Sequence, residues 1–365
     1  MEPRLSSTWR NSLPRRALRR ALRPVILPIR RRVRERVPRA GILMYHRIAT
    51  EAVDPWNLCV SPASFEEHVA LLARRNAAVD LAVFAEGGMP GGVENRAGNR
   101  LAITFDDAYR DNIEVALPIL EKHGVPATFF VVSQALGRTR EFWWDALARA
   151  VLESGRLPTT LEIELDGQER RFTIADDSAL APVPTRWNAD RDAPRNGREQ
   201  LYFDLWQAII VLPPAGQDRA TDAVLVWAGV SAEGPASRHP ATREQIAALA
   251  GHPLVRIGNH TRHHLSLPDH GAERQRDEIA GCHRDLTELI GAPVDRMSYP
   301  YGRHDARARA AVAELGIPLA CTSYPVAVHR ATPRNQLPRL QVLDSDGDTF
   351  ARWLYDEYAL LARTA

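Results

Sequence analysis

Two carboxylates and two imidazoles, in separate parts of the chain, are the residues best suited to chemistry. Asp106 and Asp107 are adjacent and end the apolar run 101–105, whereas His260 and His264 follow a second apolar run. One carboxylate and two imidazoles form a ligand set that suits Zn²⁺ and also admits Co²⁺, Mn²⁺, Ni²⁺ or Fe²⁺. A second carboxylate that stays off the metal can accept a proton from water. The four residues together predict a divalent metal site with a general base beside it.

Each pair also has a simpler interpretation. Asp is common where strands meet helices, so Asp106 and Asp107 could only cap a turn. Three His within 260–264 could form a solvated surface loop. On a helical turn, however, His260 and His264 would share one face, and on extended backbone the two Asp side chains would point to opposite sides. Because both pairs follow strand ends, where α/β folds place their chemistry, we favour the metal site.

The elements that must position these residues alternate between strands and helices. Predicted strands cover 41–47, 101–105, 127–132, 254–258, 296–299, 317–324 and 337–343. Predicted helices lie between most of them, and two begin with a capping box, at Ser64 with Glu67 and at Thr242 with Gln245. Strand, helix and strand in succession give a parallel sheet. The pattern predicts an α/β barrel or a doubly wound sheet.

The segment 138–239 interrupts this alternation and reads as an inserted subdomain or lid. It opens with Trp143 and Trp144, which suit either the core of the insertion or stacking on a sugar, with the core favoured. We therefore predict a basic arm at 1–40, a barrel made of 41–137 and 240–345, the insertion at 138–239, and a C-terminal helix at 346–365.

The charge is unevenly distributed. The arm at 1–40 carries thirteen Arg against Glu2 and Glu35, so the rest of the chain is mildly acidic and does not suggest nucleic-acid binding. The arm is either disordered or an amphipathic segment on anionic lipid. Three widely spaced Cys form no disulfide framework, and no secretory signal or apolar span is evident. We predict a cytoplasmic protein, peripheral at the inner membrane face if the arm binds lipid.

Three motifs resemble, in order, those of the polysaccharide deacetylase family (NodB-homology domain, carbohydrate esterase 4). They are Thr104-Phe105-Asp106-Asp107, His260-Thr261-Arg262-His263-His264 and Ser298-Tyr299-Pro300-Tyr301-Gly302, and the run 43–48 resembles the first strand of many bacterial members. The resemblance implies a distorted (β/α)₇ barrel with a large inserted subdomain. It also implies a hydrolase of carbon–nitrogen bonds, in exopolysaccharide metabolism, that removes N-acetyl groups from an N-acetylated oligo- or polysaccharide or its precursor.

The resemblance also implies roles for individual residues. Asp106 matches the catalytic base, and Asp107, His260 and His264 match the metal ligands, with Zn²⁺ the expected ion. Pro300 and Tyr301 match the loop that packs the groove and offers a backbone N–H to the oxyanion.

Two positions depart from the family pattern. Ser298 stands where an Arg often orients the base, and the run 336–342 lacks the His that usually serves as general acid. Arg339 is our candidate for the orienting role, and His46, preferred over His329, for the proton donor. Two other functions stay open: a glycan-binding relic without turnover, and a metal amidohydrolase or esterase acting on a non-polysaccharide substrate.

Overall fold

The computed structural model describes residues 40–85, 100–174, 187–358 and 360–361. The predicted basic arm lies outside the described residues except for Ala40. In the order of the chain, the described strands are β1 (Ala40–Tyr45), β2 (Arg47–Ile48), β3 (Cys59–Val60), β4 (Arg100–Phe105), β5 (Ala127–Val131), β6 (Thr160–Leu165), β7 (Gln168–Thr173), β8 (Val255–Asn259), β9 (Arg296–Ser298), β10 (Leu319–Cys321) and β11 (Leu340–Gln341).

Seven of these strands form one parallel sheet in the order β10-β9-β8-β5-β4-β1-β11. The sheet curls until its two edges meet. Leu337 forms a parallel bridge with Cys321, and three residues later Leu340 lies opposite Leu43 of β1. The segment 337–341 therefore joins both edges and closes the barrel. This is the distorted (β/α)₇ barrel that the sequence predicts.

Helices surround the barrel. The described α-helices are α1 (Pro62–Arg74), α2 (Leu117–His123), α3 (Trp143–Ala148), α4 (Gly197–Ile209), α5 (Pro214–Trp227), α6 (Arg243–Ala248), α7 (Ala272–Ile290), α8 (Ala306–Glu314) and α9 (Gly347–Tyr358). Within the part of the chain that the structure describes, none of them is both long and apolar enough to span a bilayer.

Helix caps test two local predictions. The capping box of Thr242 and Gln245 is confirmed at the start of α6. The box predicted at Ser64 is wrong, because α1 begins one turn earlier with Ser61 as its cap and Pro62 in its first turn. Proline is favoured there, since its missing N–H would have no partner in the first turn.

The barrel core consists of apolar side chains from strands and surrounding helices. Tyr45, Phe105 and Phe129 lie on three adjacent strands, and their rings are 5.5 and 4.9 Å apart between centroids. All three are at most 1% exposed. Because parallel strands flanked by helices are covered on both faces, each contributes a nearly continuous apolar run. These apolar runs end at the carboxyl ends of the strands, where the candidate residues such as Asp106 and His260 follow.

The chain between β5 and α6 contributes the hairpin β6–β7 and the helices α3, α4 and α5, which pack around a second apolar cluster that includes Trp187 and Tyr202. Trp143 and Trp144 are also buried in this cluster, so the core interpretation of this pair is confirmed. The boundaries 138 and 239 stay a prediction.

A group of buried charges, here called the seam cluster, links this segment to the barrel. Its members are Arg47, Glu51, Asp111, Glu153 and Arg238. Arg47 donates to Asp111 at 3.1 Å and to Glu51 at 2.9 Å. Arg238 donates to Glu51 at 2.7 Å and forms an ion pair with Glu153 at 2.8 Å. Each guanidinium in the cluster is therefore paired with at least two carboxylates.

Candidate active site

The carboxyl ends of four barrel strands bring the candidate residues together. Asp106 directly follows β4, His260 follows β8, Ser298 ends β9, and His46 follows β1. Parallel strands present these ends at one rim, so residues far apart in sequence become neighbours. The structure thus places the two Asp and two of the His of the sequence motifs at one position.

Asp107, His260 and His264 form a compact, buried group. One ligand atom from each lies within 4.8 Å of the others. Nε2 of His264 is 3.3 Å, and Nε2 of His260 is 3.6 Å, from Oδ1 of Asp107. None of the three residues is more than 6% exposed. Two imidazoles and one carboxylate at this spacing are a donor set that a divalent cation can occupy.

The partners of these three residues test whether a cation fits. His260 bonds through Nδ1 to the carbonyl of Ser298 at 2.8 Å, which leaves Nε2 to face Asp107. Oδ1 of Asp107 and Nδ1 of His264 have no hydrogen-bond partner among the described residues. Burial and the charge of Asp106 raise the pKa of Asp107, while burial lowers the pKa of His264. A cation would compensate the buried carboxylate, so the residues fit a divalent metal.

The backbone at the site is unusual and corrects two expectations. Of nine non-glycine residues with positive φ in the described chain, five lie here: Asp107, Ala108, Thr261, His264 and Tyr301. The Asp pair is therefore on a tight turn rather than on extended backbone, and His260 and His264 lie on a loop rather than on a helical turn. Such conformations cost free energy and are concentrated at functional sites.

Side-chain bonds hold the His loop in this shape. Oδ1 of Asn259 accepts from the N–H of Thr261 at 2.8 Å, and Oγ1 of Thr261 accepts from the N–H of His264 at 3.0 Å. Asn and Thr readily form such short bonds to nearby backbone. Together these bonds turn the chain sharply, so that His260 and His264 face the same point with ring centroids 4.8 Å apart.

Asp106 is held by an arginine. Arg339 donates to Oδ1 at 2.7 Å and to Oδ2 at 2.6 Å, a bidentate pair in which both side chains are buried. Ser298 joins the pair, accepting from Arg339 at 2.6 Å and donating to Asp106 at 3.3 Å. Burial alone would raise the pKa of Asp106, but Arg339 and His260 lower it well below the usual range. Asp106 is therefore a fixed, ionised carboxylate beside the candidate metal group.

His46 and His329, the two candidate proton donors, are at different places. His46 directly follows β1, at the same rim as Asp106, and burial lowers its pKa to about 4. His329 is exposed and follows Val328, whose backbone pairs with the first residue of β1, at the opposite end of that strand. The alternative of His329 as the acid is therefore wrong.

Pro300 and Tyr301 form a short 3₁₀ turn after β9. The ring of Tyr301 packs on that of His264 with centroids 4.5 Å apart. The turn passes so close to Ser323 that a side chain at position 302 would not fit: a Cβ there would lie 2.6 Å from the backbone nitrogen of Ser323. The first intrahelical bond runs from the N–H of Gly302 to Tyr299. Tyr301 comes one residue before Gly302, and N–H groups in the first turn of a helix have no acceptor within the helix. The N–H of Tyr301 is therefore not used by this turn.

Several aromatic residues at the site were not predicted. Trp144 packs on His264 at 4.7 Å and donates to the hydroxyl of Tyr109. Tyr301 also faces Trp206 of α4, which in turn packs on Trp56. Only the adjacency of Trp143 and Trp144 gave a local signal, because the other rings come together through tertiary packing.

Comparison with known proteins agrees with this geometry. Residues 94–157 and 227–320 match the family model for polysaccharide deacetylase. Over these two stretches the chain is similar to the polysaccharide deacetylase family. One similar protein assigned to these deacetylases, YxkH of Bacillus subtilis (strain 168), is 32% identical over 83 residues. That match spans 21% of this chain and 30% of YxkH, so the chain aligns with less than a third of this curated relative.

Solved deacetylase structures share the fold. The Streptococcus pyogenes deacetylase PplD, solved in complex with acetate, is 16% identical with a TM-score of 0.51, covering 86% of this chain and 96% of PplD. BC0361, a polysaccharide deacetylase from Bacillus cereus, is 15% identical with a TM-score of 0.51, covering 86% of this chain and 68% of BC0361. These likenesses establish the deacetylase barrel.

Proposed function

We propose that this protein is a metal-dependent hydrolase that removes N-acetyl groups from an N-acetylated glycan or its precursor. The observation that carries the proposal is the buried group of Asp107, His260 and His264 beside an ionised Asp106, at the strand ends of a deacetylase barrel. The match to the polysaccharide deacetylase family model supports a glycan substrate. The acetate bound by PplD, a relative in fold, belongs to the product class of this reaction.

We assign the metal to Asp107, His260 and His264, with Zn²⁺ the expected ion for one carboxylate and two imidazoles. Such an ion lowers the pKa of water and polarises a carbonyl. Asp106 accepts the proton of the attacking water, because Arg339 holds it ionised and in a fixed orientation. The N–H of Tyr301 donates to the oxyanion, and Pro300 fixes the turn that presents it.

His46 is the proton donor to the departing amine in this proposal. Because burial lowers its pKa to about 4, it is neutral at rest and donates after taking up the proton that Asp106 accepts from the attacking water. It follows β1 at the same rim as Asp106, and the described run 336–342 offers no His for the task. Arg339, which lies in that run, acts through Asp106 and is a positioning residue.

The decisive experiment measures acetate release from a panel of N-acetylated glycans, with chelator and after addition of Zn²⁺, Co²⁺ or Mn²⁺. We expect release that chelation abolishes and metal restores. The variant Asp106→Asn should retain metal but lose turnover. Glycan binding without acetate release in the loaded wild type would instead identify a binding relic, and release only from other amides or esters would change the substrate class.

The variant His46→Ala tests the proton donor. Loss of the donor should lower kcat about 10²-fold or more, because general acid catalysis contributes that much. Metal content and thermal stability should stay at wild-type values, and substrates with better leaving groups should suffer less. Wild-type kcat on the N-acetylated glycan would remove His46 from the mechanism.

A further inference from the structure

A row of partly exposed aromatic rings leads away from the candidate metal group. Trp56 and Trp206 pack with ring centroids 4.4 Å apart, and Trp206 faces Tyr301 at 6.0 Å. Tyr301 in turn packs on the candidate metal ligand His264. All three rings of the row are half-buried, in contrast to the buried Trp143 and Trp144 behind them. The row is therefore a chain of contacting rings, each partly exposed, that begins at the candidate metal ligand His264.

The two Trp come from different parts of the chain. Trp56 lies in the loop between β2 and β3, whereas Trp206 lies on α4, inside the segment that the family match leaves out between 157 and 227. Because the family match begins at residue 94, Trp56 also lies outside the matched residues, so neither Trp belongs to them. The family's general features do not account for the row.

Both rings are held in place before any ligand arrives. The indole N–H of Trp56 donates to the hydroxyl of Tyr202 on α4 at 2.8 Å. The side chain of Gln341, on the closing strand β11, donates to the carbonyl of Trp56 at 3.0 Å. Trp206 also packs on Trp143, with ring centroids 6.0 Å apart. A fixed aromatic surface loses little conformational entropy on binding, which favours affinity.

We propose that Trp56 and Trp206 form a subsite for the sugar unit that neighbours the one being deacetylated. The C–H face of a pyranose ring is apolar and covers an aromatic face well, while its hydroxyl groups remain in water. Because the row starts at Tyr301, a glycan whose N-acetyl group reaches the metal group extends along it. The inference rests on the proposed function and adds to it a preference for an oligomer over a single sugar.

The test uses the metal-loaded Asp106→Asn protein, which should bind without turnover. Calorimetry would measure its affinity for N-acetylglucosamine and for its pentamers with β-1,4 and β-1,6 linkages. We expect a pentamer to bind more tightly than the single sugar. In this protein, the further substitution Trp206→Ala should weaken pentamer binding about tenfold, a typical contribution of one aromatic stack. Trp206→Phe should instead keep most of the pentamer affinity.

Trp227→Ala is the matched control. Trp227 is the last residue of α5 and, like Trp206, is half-buried. Its indole N–H donates to the carbonyl of Thr160 rather than to a residue of the row. Trp227→Ala should leave pentamer affinity unchanged. Trp56→Ala removes the other ring, which lies in the loop between β2 and β3. It should weaken pentamer binding as Trp206→Ala does, and it provides the test if Trp206→Ala folds poorly.

In the active protein, Trp206→Ala should raise KM for the pentamer about tenfold and leave kcat within about twofold, because the ring contacts no reacting atom. Acetate release with no effect of either Trp variant would overturn the subsite and leave the proposed function standing. Pentamer binding that depends on Trp206, without acetate release by the wild type, would overturn the proposed function and leave the subsite standing. Absence of both binding and release would overturn both.

Discussion

Two regions of buried charge lie close together in this molecule and are organised differently. In the seam cluster, Arg47 and Arg238 each contact at least two carboxylates, and the whole network joins the barrel to the segment between β5 and α6. In the candidate active site, Arg339 neutralises Asp106, but the neighbouring Asp107 faces two imidazoles whose pKa values burial lowers.

The difference distinguishes a structural from a functional use of charge. Buried ions that are paired within the chain can be stable, whereas an unpaired buried carboxylate costs several kcal/mol. Such a cost persists only where something else compensates it. The contrast between Asp106 and Asp107, adjacent in sequence, therefore supports the proposed cation site at Asp107 more directly than the ligand types alone do.

The largest expected effect is at Asp107. The variant Asp107→Asn should lower turnover about 10⁴-fold, because the polarising cation would be lost with its anionic ligand. It should also abolish the stabilisation that added Zn²⁺ confers on the wild type. The metal-free variant, however, should unfold at the same or a higher denaturant concentration than the metal-free wild type, because it no longer buries an unpaired charge.

Metal content by mass spectrometry and urea unfolding with and without chelator would check this. Arg47→Met in the seam cluster is the contrasting variant. It should lower stability with and without metal, since it leaves Asp111 buried and unpaired. If Asp107→Asn destabilised the metal-free protein as much as Arg47→Met does, the two regions would not differ as described.

Arg339 and Asp106 should stabilise the fold as a buried ion pair. The variant Arg339→Met should lower the free energy of unfolding by about 3–5 kcal/mol, because it leaves Asp106 buried without its cation. In the Asp106→Asn background the same substitution should cost much less. Urea unfolding of the four proteins in this double-mutant cycle gives the coupling energy, and additive effects would show that the bidentate contact contributes little.

Asp145 provides the smallest test, at a position between the two regions. Its carboxylate accepts from the hydroxyl of Tyr109 at 2.6 Å, and burial raises its pKa to about 7, with Arg47 opposing. Between about pH 4 and pH 7 the folded protein keeps the Asp145 proton, whereas the unfolded chain loses it. The stability that this group contributes is therefore present at low pH and falls as the pH rises to about 7.

The variant Asp145→Asn does not titrate, so its stability relative to the wild type should rise with pH. Between pH 5 and pH 7 the gain should be about 2 kcal/mol, given at most 1.4 kcal/mol per pH unit for one proton. Chemical unfolding of the metal-free proteins across this range would measure it. A constant difference from pH 4 to pH 8 would mean that Asp145 is ionised throughout.

Much of the fold could be predicted from the sequence, because it depends on local patterns. Apolar runs that end in polar residues mark buried parallel strands and place Asp106 and His260 at one rim. The cap at Ser61 was missed because Ser64 offered an equally good local pattern, and only the observed position of Pro62 in the first turn distinguishes them. Local alternatives of similar energy are where such predictions fail.

The site itself was only partly predictable. Residue types indicated a metal group, but the left-handed backbone at Asp107, Thr261 and His264 depends on bonds and packing that have no sequence period. Trp56 and Trp206 gave no signal, because their meeting depends on how the segment between β5 and α6 lies against the barrel.

The strand that closes the barrel also carries Arg339. Leu337 joins one edge of the sheet, Leu340 joins the other, and Arg339 between them reaches inward to Asp106. A growing chain that has not yet added this strand has an open sheet, and its Asp106 lacks the contact with Arg339 that orients it. Completion of the barrel and readiness of the site thus coincide in a single late event of synthesis, which would keep partly made chains inactive.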